Sequence, residues 1–272
     1  MRLRDRVALI TGAGRGIGRE IALAYAGEGA RLALAARTVG ELEETARQVR
    51  ELGAAVLVVP TDVTDRSQVD GMVRRTVDRF SALDVLVNNA GLPGPVGPLQ
   101  ENDVDYWRRT IEVNIIGVFL CCRAALPVML SGGRGRIVNV YGGRGRNLTA
   151  YGASKVAVAD ITETLATELA GTNIRVNALS PGSIHTRMWE ETRDAARAVG
   201  DAELFELGQR VTSGGGASIQ RAAELAVILG SDDAGDLNGR VVSSVTEDLS
   251  TLVQRAPDLM ASEAGTLKLL GS

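Results

Sequence analysis

The residues best suited to chemistry in this sequence are a tyrosine and a lysine four positions apart, Tyr151 and Lys155. Residues at positions i and i+4 share one face of a helix, so the phenol and the ammonium can reach the same ligand. The pKa of a free tyrosine is about 10, and a nearby positive charge favours the phenolate and lowers that pKa. The spacing therefore predicts that Tyr151 exchanges a proton with a bound molecule.

The use of basic residues strengthens this interpretation. Of the 30 lysines and arginines in the chain, only Lys155 and Lys268 are lysines. A lysine ammonium is compact and its pKa shifts readily on burial, whereas a guanidinium stays charged. A chain that otherwise uses arginine has a lysine where an adjustable ammonium is useful. A chance pairing of tyrosine and lysine on an ordinary helix is the weaker interpretation.

A glycine-rich segment near the start of the chain reads T-G-A-G-R-G-I-G, from Thr11 to Gly18. It lies between the first apolar run and the first amphipathic segment. There, glycines allow a pyrophosphate to approach the backbone at a helix N-terminus. The glycines do not fit the G-x-G-x-x-G fingerprint and follow T-G-x-x-x-G-x-G instead. A tight turn that holds no ligand is the alternative for this segment taken alone.

Further motifs follow in chain order. They are Thr61-Asp62-Val63, Asn88-Asn89-Ala90-Gly91, Asn114, Y-x-x-x-K from Tyr151, and the segment from Pro181 to Thr186. With the glycine turn, they resemble the motifs of the short-chain dehydrogenase/reductase family, from about Val7 to Val242. The resemblance implies a nicotinamide dinucleotide cofactor and hydride transfer between a carbonyl carbon and the cofactor. The substrate expected is a small or medium-sized, largely apolar ketone or secondary alcohol.

The resemblance also implies roles for individual residues. In the family mechanism the tyrosine protonates the carbonyl oxygen, the lysine binds the nicotinamide ribose, and an asparagine anchors a water in a proton relay. Asn114, Tyr151 and Lys155 are therefore predicted to be catalytic, although Asn114 could instead be a polar residue bonded to backbone within a helix. The lone histidine, His185, lies in the segment from Pro181 to Thr186, which in the family holds the nicotinamide, and it is not assigned as a base. No metal site is predicted. The residues predicted to bind the cofactor are Gly12, Arg15, Gly16, Ile17, Gly18, Arg37, Asp62, Val63, Asn89, Ala90, Gly91, Lys155, Pro181, Gly182, Ile184 and Thr186.

The end of the second apolar run bears on the choice of cofactor. A carboxylate at this corner accepts a hydrogen bond from a free 2′-hydroxyl, whereas a cation pairs with a 2′-phosphate. The sequence here is Ala35-Ala36-Arg37, without an acidic residue, and Arg15 offers a second guanidinium. Basic residues at these two places bind the phosphate in NADP-preferring members of the family, so NADP(H) is predicted over NAD(H). The alternative is that both arginines are merely solvated.

One departure from the family pattern lies beside the catalytic pair. The family has a serine that donates a hydrogen bond to the substrate oxygen, and Gly142 stands in its place, with Tyr141 or Thr149 as candidate substitutes. Loss of such a donor costs on the order of 10² to 10³ in turnover, so we expect Gly142→Ser to raise ketone reduction. Two alternatives are a non-catalytic NADP(H)-binding protein and a relative that uses the same tyrosine for dehydration or epimerisation.

Short apolar runs alternate with amphipathic segments along the chain, at residues 6–10, 31–35, 54–59, 85–87, 137–140, 174–179 and 240–242. This alternation predicts an α/β fold with a doubly wound parallel sheet, the Rossmann type, with about seven strands and helices on both faces. Residues 103–130 read as a long helix that Pro127 is expected to end or bend.

A single domain is predicted across residues 1–272, with two segments outside the alternation. Residues 187–216 follow a strand end, where doubly wound sheets bind ligands, and are predicted to form a substrate lid; a surface helical pair without a ligand role is the alternative. The tail at residues 247–272 fits a helical flap, a dimer contact or a frayed end. The sequence does not decide among these three.

Composition limits the partners. Hydrophobic residues make up 45% of the chain and its net charge is −3, so we expect a folded protein without a nucleic-acid partner. The longest apolar runs are far shorter than the roughly 20 residues of a membrane span. Adjacent Cys121 and Cys122 cannot form a disulfide framework, which favours the cytoplasm. Helices that are apolar around much of their circumference predict a homodimer or homotetramer.

Overall fold

The chain folds around one parallel sheet of seven strands with the order β3-β2-β1-β4-β5-β6-β7. The computed structural model describes residues 1–143, 145–262 and 264–266. The strand order changes direction between β1 and β4, which is where doubly wound sheets open a ligand crevice. The strands are β1 Val7–Thr11, β2 Arg31–Ala36, β3 Val56–Pro60, β4 Val85–Asn88, β5 Gly135–Val140, β6 Ile174–Ser180 and β7 Val241–Ser243.

Helices cover both faces of this sheet, as the alternation of apolar runs predicts. One core packs α1, α2 and α9 against the sheet through residues such as Ile21, Leu42 and Leu225. The other packs α3, α5 and α6 through Met72, Met129 and Val158. The helices are α1 Gly16–Gly27, α2 Val39–Glu51, α3 Arg66–Phe80, α4 Val104–Ile111, α5 Gly117–Ser131, α6 Thr149–Glu168, α7 Arg187–Ala198, α8 Ala202–Arg210, α9 Ile219–Gly230 and α10 Leu252–Ala261.

A π-helical turn, Glu112–Ile116, joins α4 to α5 in one long helix. The helix does not end at Pro127 as one alternative of the prediction had it, because α5 continues to Ser131. Pro127 lies on the exposed side of α5, where water can satisfy the carbonyl that its missing N–H leaves unpaired. By length and hydropathy alone this 28-residue helix could cross a membrane, with a mean hydropathy of 2.0 over an 18-residue window, half of which is buried inside the fold.

The described part of the C-terminal tail is a docked helix. Leu249, Leu252 and Ala256 are buried in the core. The Arg240 guanidinium donates to the carbonyls of Leu259 and Met260 at the end of α10. The end of α10 thus packs near the amino end of β7; residues 263 and 267–272 lie outside the described residues.

Candidate active site

A cavity of about 760 Å³ opens at the carboxyl ends of the strands, between the glycine turn after β1 and the start of α6. Of the predicted site residues, only Gly18 and Asn114 do not line it. The fold therefore brings Tyr151 and Lys155 to the same cavity as the glycine turn. The predicted residues that line it are Gly12, Arg15, Gly16, Ile17, Arg37, Asp62, Val63, Asn89, Ala90, Gly91, Tyr151, Lys155, Pro181, Gly182, Ile184 and Thr186.

Asn89 and Thr11 fix the glycine turn to the end of β4. The Asn89 amide donates to the carbonyls of Thr11 and Gly12 at 2.9 and 3.1 Å, and the Thr11 hydroxyl accepts from the backbone N–H groups of Asn89 and Ala90. Gly12 has φ +65°, and a Cβ atom there would lie 2.7 Å from Asn89 Nδ2. Gly18 packs beneath the turn, where a Cβ atom would overlap the Gly12 carbonyl. The contribution of Thr11 was missed, because only the fold brings β1 and β4 together.

The start of α1 has the features of an anion site. Its N-cap is Arg15, and within the described residues no side chain caps the first N–H groups of this helix. Uncapped N–H groups at a helix N-terminus suit a phosphate. Gly16, with φ +53°, begins the helix at the cavity wall and lies next to Thr186, whose Cγ2 atom would be 3.3 Å from a Cβ atom at position 16. The backbone there leaves a cradle without side chains for a pyrophosphate.

Arg37 and Arg15, the two cations predicted to bind a 2′-phosphate, have different surroundings. Arg37 is exposed at the end of β2. The Arg15 guanidinium instead pairs with Glu41, with its Nη1 atom 3.1 Å from Oε1. Sequence analysis missed Glu41, which lies in the first turn of α2, where an acidic residue ordinarily offsets the helix dipole.

Asp62, one of the residues predicted to bind the cofactor, is held by protein groups. Its carboxylate accepts from the backbone and the hydroxyl of Thr64, and from Arg109 Nη2 at 2.6 Å. Burial alone raises the pKa of Asp62, but these hydrogen bonds and the Arg109 charge outweigh it and lower the pKa. Neighbouring Val63 is buried against the backbone of Gly117. Both residues line the cavity, in positions fixed by α4 and α5.

Tyr151 and Lys155 meet as their spacing predicts. Lys155 Nζ lies 5.5 Å from the centroid of the Tyr151 ring and donates to the Val140 carbonyl at 2.8 Å. Burial lowers the pKa of Lys155 to about 8. Burial, aided by Tyr141, raises the pKa of Tyr151 to about 12. In the protein by itself, desolvation of the phenolate thus outweighs the nearby ammonium. The lowering of the tyrosine pKa by the ammonium together with the positive nicotinamide of an oxidised cofactor stays a prediction.

Gly142 makes room for the Tyr151 phenol. A Cβ atom at position 142 would overlap the Tyr151 hydroxyl and lie 2.9 Å from Cζ. The phenol thus fills the space that a serine side chain would need, and the geometry contradicts the basis of the expected gain from Gly142→Ser. Of the two candidate substitutes, Tyr141 lines the cavity. The Thr149 hydroxyl lies outside it and accepts from Asn102 and Trp107.

Asn114 lies in the π-helical turn, 1% exposed, behind Lys155. Its Oδ1 atom accepts from Leu92 N–H at 2.8 Å, and its Nδ2 atom donates to the Leu92 carbonyl at 3.0 Å and to Ser154 Oγ at 2.9 Å. Both amide hydrogens are therefore used within the protein. The side chain ties the loop after β4 to α6, which matches the backbone-bonded alternative, and the water relay stays a prediction.

The segment predicted to be a lid is a helical hairpin, α7 and α8. Met188, Trp189 and Thr192 from α7 and Leu204 and Leu207 from α8 line the cavity. At the turn of the hairpin, Asp201 caps α8 and accepts from the Asn147 amide at 2.7 Å. His185 is exposed and pairs with Glu190 at 3.0 Å. The hairpin lines this part of the cavity with these four apolar side chains and with the polar Thr192, Arg187, Glu190 and Glu191.

A doubly wound sheet with a glycine turn, a tyrosine and a lysine around one cavity defines a dinucleotide-binding oxidoreductase class. The family model described as short chain dehydrogenase matches residues 6–197. The chain belongs to this family, as the motifs predict. Its members bind NAD(H) or NADP(H).

Two relatives show how far the similarity extends. The chain is 36% identical over 247 residues to a (2S)-[(R)-hydroxy(phenyl)methyl]succinyl-CoA dehydrogenase subunit of Thauera aromatica, covering 89% of this chain and 96% of the relative. It is 40% identical over 186 residues to cis-4-hydroxycyclohexanecarboxylate dehydrogenase of Sinomonas cyclohexanicum, covering 67% and 74%.

Solved structures agree in fold. NAD⁺-bound xylitol dehydrogenase superposes with a TM-score of 0.84 at 32% identity, over 89% of this chain and 98% of that one. Levodione reductase gives 0.83 at 32%, over 90% and 100%. Carveol dehydrogenase from Mycobacterium avium in complex with NAD gives 0.81 at 26%, over 90% and 99%.

Proposed function

We propose that the protein is an NADP(H)-dependent oxidoreductase that interconverts a ketone or aldehyde with an alcohol, with Tyr151 as the proton donor and acceptor. The observation that carries this proposal is the meeting of the Tyr151 phenol and the Lys155 ammonium in the cavity that the glycine turn opens. The nicotinamide supplies or takes up a hydride when bound.

The residues present fit such a cofactor. The side-chain-free turn and the uncapped start of α1 would receive the pyrophosphate. Arg15 and Arg37 would receive a 2′-phosphate. Within the described residues, Lys155 Nζ has one protein acceptor, Val140, so two of its three donors are available to ribose hydroxyls.

The protein's own groups account for the proton. Because the pKa of Tyr151 is about 12, the phenol stays protonated near neutral pH and can donate to a carbonyl oxygen during reduction. The Lys155 ammonium, facing the ring, favours the phenolate that this donation leaves. Tyr141 is the proposed second hydroxyl donor to the substrate oxygen, in place of the serine that Gly142 excludes.

Preference for NADP(H) is the finer part of the proposal. It rests on Arg37 and Arg15, and on the absence of a carboxylate at the end of β2. Two of the solved relatives bind NAD, so the choice needs its own test. Arg37→Asp should weaken NADPH binding by at least about tenfold and NADH binding far less, measured by fluorescence titration. Equal losses for both nucleotides would contradict the preference.

Apolar cyclic ketones and alcohols are the proposed substrate class. Leu92, Met188, Trp189, Leu204 and Leu207 contribute apolar side chains to the proposed substrate side, beside the charged Arg187, Glu190 and Glu191 of α7. Relatives are named for hydroxycyclohexanecarboxylate, levodione and carveol. Because another solved relative is named for xylitol, an extended polar substrate, the proposed preference for a compact ring rests on the apolar side chains of the cavity.

The deciding experiment follows NADPH absorbance with a panel of cyclic ketones. Net oxidation should occur with the wild type, fall below detection in Tyr151→Phe, and drop by on the order of 10²-fold in Tyr141→Phe, while Thr149→Val retains activity. NADPH binding without turnover of any ketone would contradict the enzymatic proposal.

Association with further copies of the chain is also proposed, as a homodimer or homotetramer. Ile116, Phe119 and Leu130 are 44%, 51% and 49% exposed on the long helix, an apolar surface of the kind that subunits cover. The cytoplasm is the proposed compartment, and small molecules rather than nucleic acid or membrane are the proposed partners.

A further inference from the structure

Glu41 lies between two arginines at the mouth of the cavity. Its Oε1 atom is 3.1 Å from Arg15 Nη1 and 3.8 Å from Arg187 Nη1. Arg15 belongs to the glycine turn, and Arg187 is the first residue of α7, the first helix of the hairpin over the substrate side. One carboxylate therefore joins the turn, α2 and the hairpin.

Packing holds Glu41 in this position. A Cβ atom at Gly14 would lie 2.9 Å from Glu41 Cβ, so the start of α2 rests directly against the glycine turn. The Glu41 backbone carbonyl accepts from Thr45, whose hydroxyl also donates to the Gly14 carbonyl. Glu41 lines the cavity together with both arginines. It is therefore part of the cofactor side of the site.

The two cations offered to a 2′-phosphate differ in their surroundings. Within the described residues, Arg37 has no carboxylate within 4.0 Å, whereas Arg15 has Glu41. The Arg15 and Glu41 side chains are 47% and 29% exposed, and ion pairs that water reaches are weak. A phosphate with up to two negative charges can compete with one carboxylate for Arg15.

We propose that Glu41 is a specificity-determining residue that competes with the 2′-phosphate for Arg15 and so moderates the preference for NADP(H). The proposal rests on the proposed function, because it takes the phosphate to bind at Arg15. NADP(H) must displace Glu41 from Arg15, and Arg187 remains to pair with the freed carboxylate. NAD(H) has no 2′-phosphate, so its binding leaves the Glu41–Arg15 ion pair intact.

The test compares dissociation constants of NADPH and NADH for the full chain by nucleotide fluorescence, which needs no turnover. Glu41→Gln keeps the shape of the side chain and removes its charge. It should tighten NADPH binding roughly two- to fivefold, the range expected for an exposed ion pair, and leave NADH within twofold. The gain should shrink as salt is added, because the competing charges are exposed.

Two further variants separate the proposal from a general charge effect. Glu43→Gln, on the same helix and paired with Arg50, should leave both constants unchanged. Adding Glu41→Gln to Arg15→Gln should give no gain over Arg15→Gln alone. Thermal unfolding checks that each variant is folded, and Glu41→Ala should change NADPH affinity in the same direction.

The outcomes distinguish this inference from the proposed function. If the wild type binds both nucleotides and Glu41→Gln leaves NADPH affinity unchanged or weaker, competition at Arg15 is overturned and the oxidoreductase proposal stands. A gain that persists in the Arg15→Gln background would also overturn it. If the wild type binds neither nucleotide, the proposed function itself fails.

Discussion

Lys155 is a buried ammonium whose charge changes within the working range of an enzyme. Burial lowers its pKa from the ordinary value of 10.5 to about 8, so it is protonated below that pH and increasingly neutral above it. Tyr151, with a pKa of about 12, stays protonated across the same range. At neutral and mildly alkaline pH, Lys155 is therefore the member of this pair that changes its charge.

The pH profile of ketone reduction should therefore report Lys155. We expect kcat/KM to be level below pH about 8 and to fall by up to tenfold per pH unit above it, because the ammonium that binds ribose and favours phenolate is lost. The measurement is kcat/KM for the ketone against pH. Lys155→Met should be slow at every pH and lack this fall. A wild-type profile level to pH about 10 would contradict the assignment.

At Gly142, activity should depend on the volume of the side chain rather than on its charge. Adding a methyl group in Gly142→Ala should lower kcat at least about tenfold, and Gly142→Ser should also lower it, because a small misplacement of the reacting group is costly. The control is Gly143→Ala, whose Cβ atom would have no neighbour within 4 Å. Faster reduction by Gly142→Ser would show that Tyr151 can move aside and that the serine role can be restored.

At the residue level, contacts within one helix could be predicted from the sequence, whereas contacts between separate elements could not. Tyr151 and Lys155 are joined by helical periodicity, a local rule, so their meeting could be predicted. The pairing of Arg15 with Glu41 spans 26 positions and depends on how α2 packs on the turn. The contact between Gly142 and Tyr151 depends on the path of the loop between β5 and α6. No local rule gives such contacts.

Among the elements, the α7–α8 hairpin lines the part of the cavity that is proposed to hold the substrate. Asn147 has φ +59° and donates from its amide to Asp201, the cap of α8. It ties the loop between β5 and α6, which carries Tyr141, to the turn of the hairpin. If the hairpin closes over a substrate as proposed, this contact should affect the closure.

Asn147→Gly tests this tie without backbone strain, since glycine accepts a positive φ readily. We expect KM for the ketone to rise about two- to fivefold, because the hairpin spends less time closed, and the NADPH dissociation constant to stay unchanged. Steady-state kinetics and nucleotide titration measure the two quantities. An unchanged KM would show that packing alone, such as that of Val199 near Gly97, holds the hairpin in place.

Hydrophobic periodicity predicted the elements that are buried on both faces, but it did not predict how the partly exposed helices end or dock. The apolar strands at the centre of the sheet were found because both faces are covered. Pro127 does not end its helix, because its face is exposed and water can replace the missing partner. Helix α10 could not be chosen among the alternatives for the tail, because its docking depends on Arg240, just before β7, which donates to the last carbonyls of the helix.

At the scale of the whole molecule, the long helix Val104–Ser131 combines a buried face with an exposed apolar one. Phe119 is 51% exposed on the same helix whose Asn114 supports the active site. An apolar surface this close to the site is either covered by another copy or left to water. Cover by a copy would also fix the helix that carries Asn114, so association and activity should be coupled.

Phe119→Asp tests whether the chain associates through this surface. A charge placed in an apolar interface loses its hydration without gaining a partner, so the variant should shift the mass measured by light scattering from that of a dimer or tetramer to about 28.6 kDa. Leu52→Asp, equally exposed at the end of α2, should keep the wild-type mass. Wild-type protein that is monomeric at micromolar concentration would contradict the proposal. Wild-type protein that floats with phospholipid vesicles would instead assign the surface to a membrane, as the length and hydropathy of this helix permit.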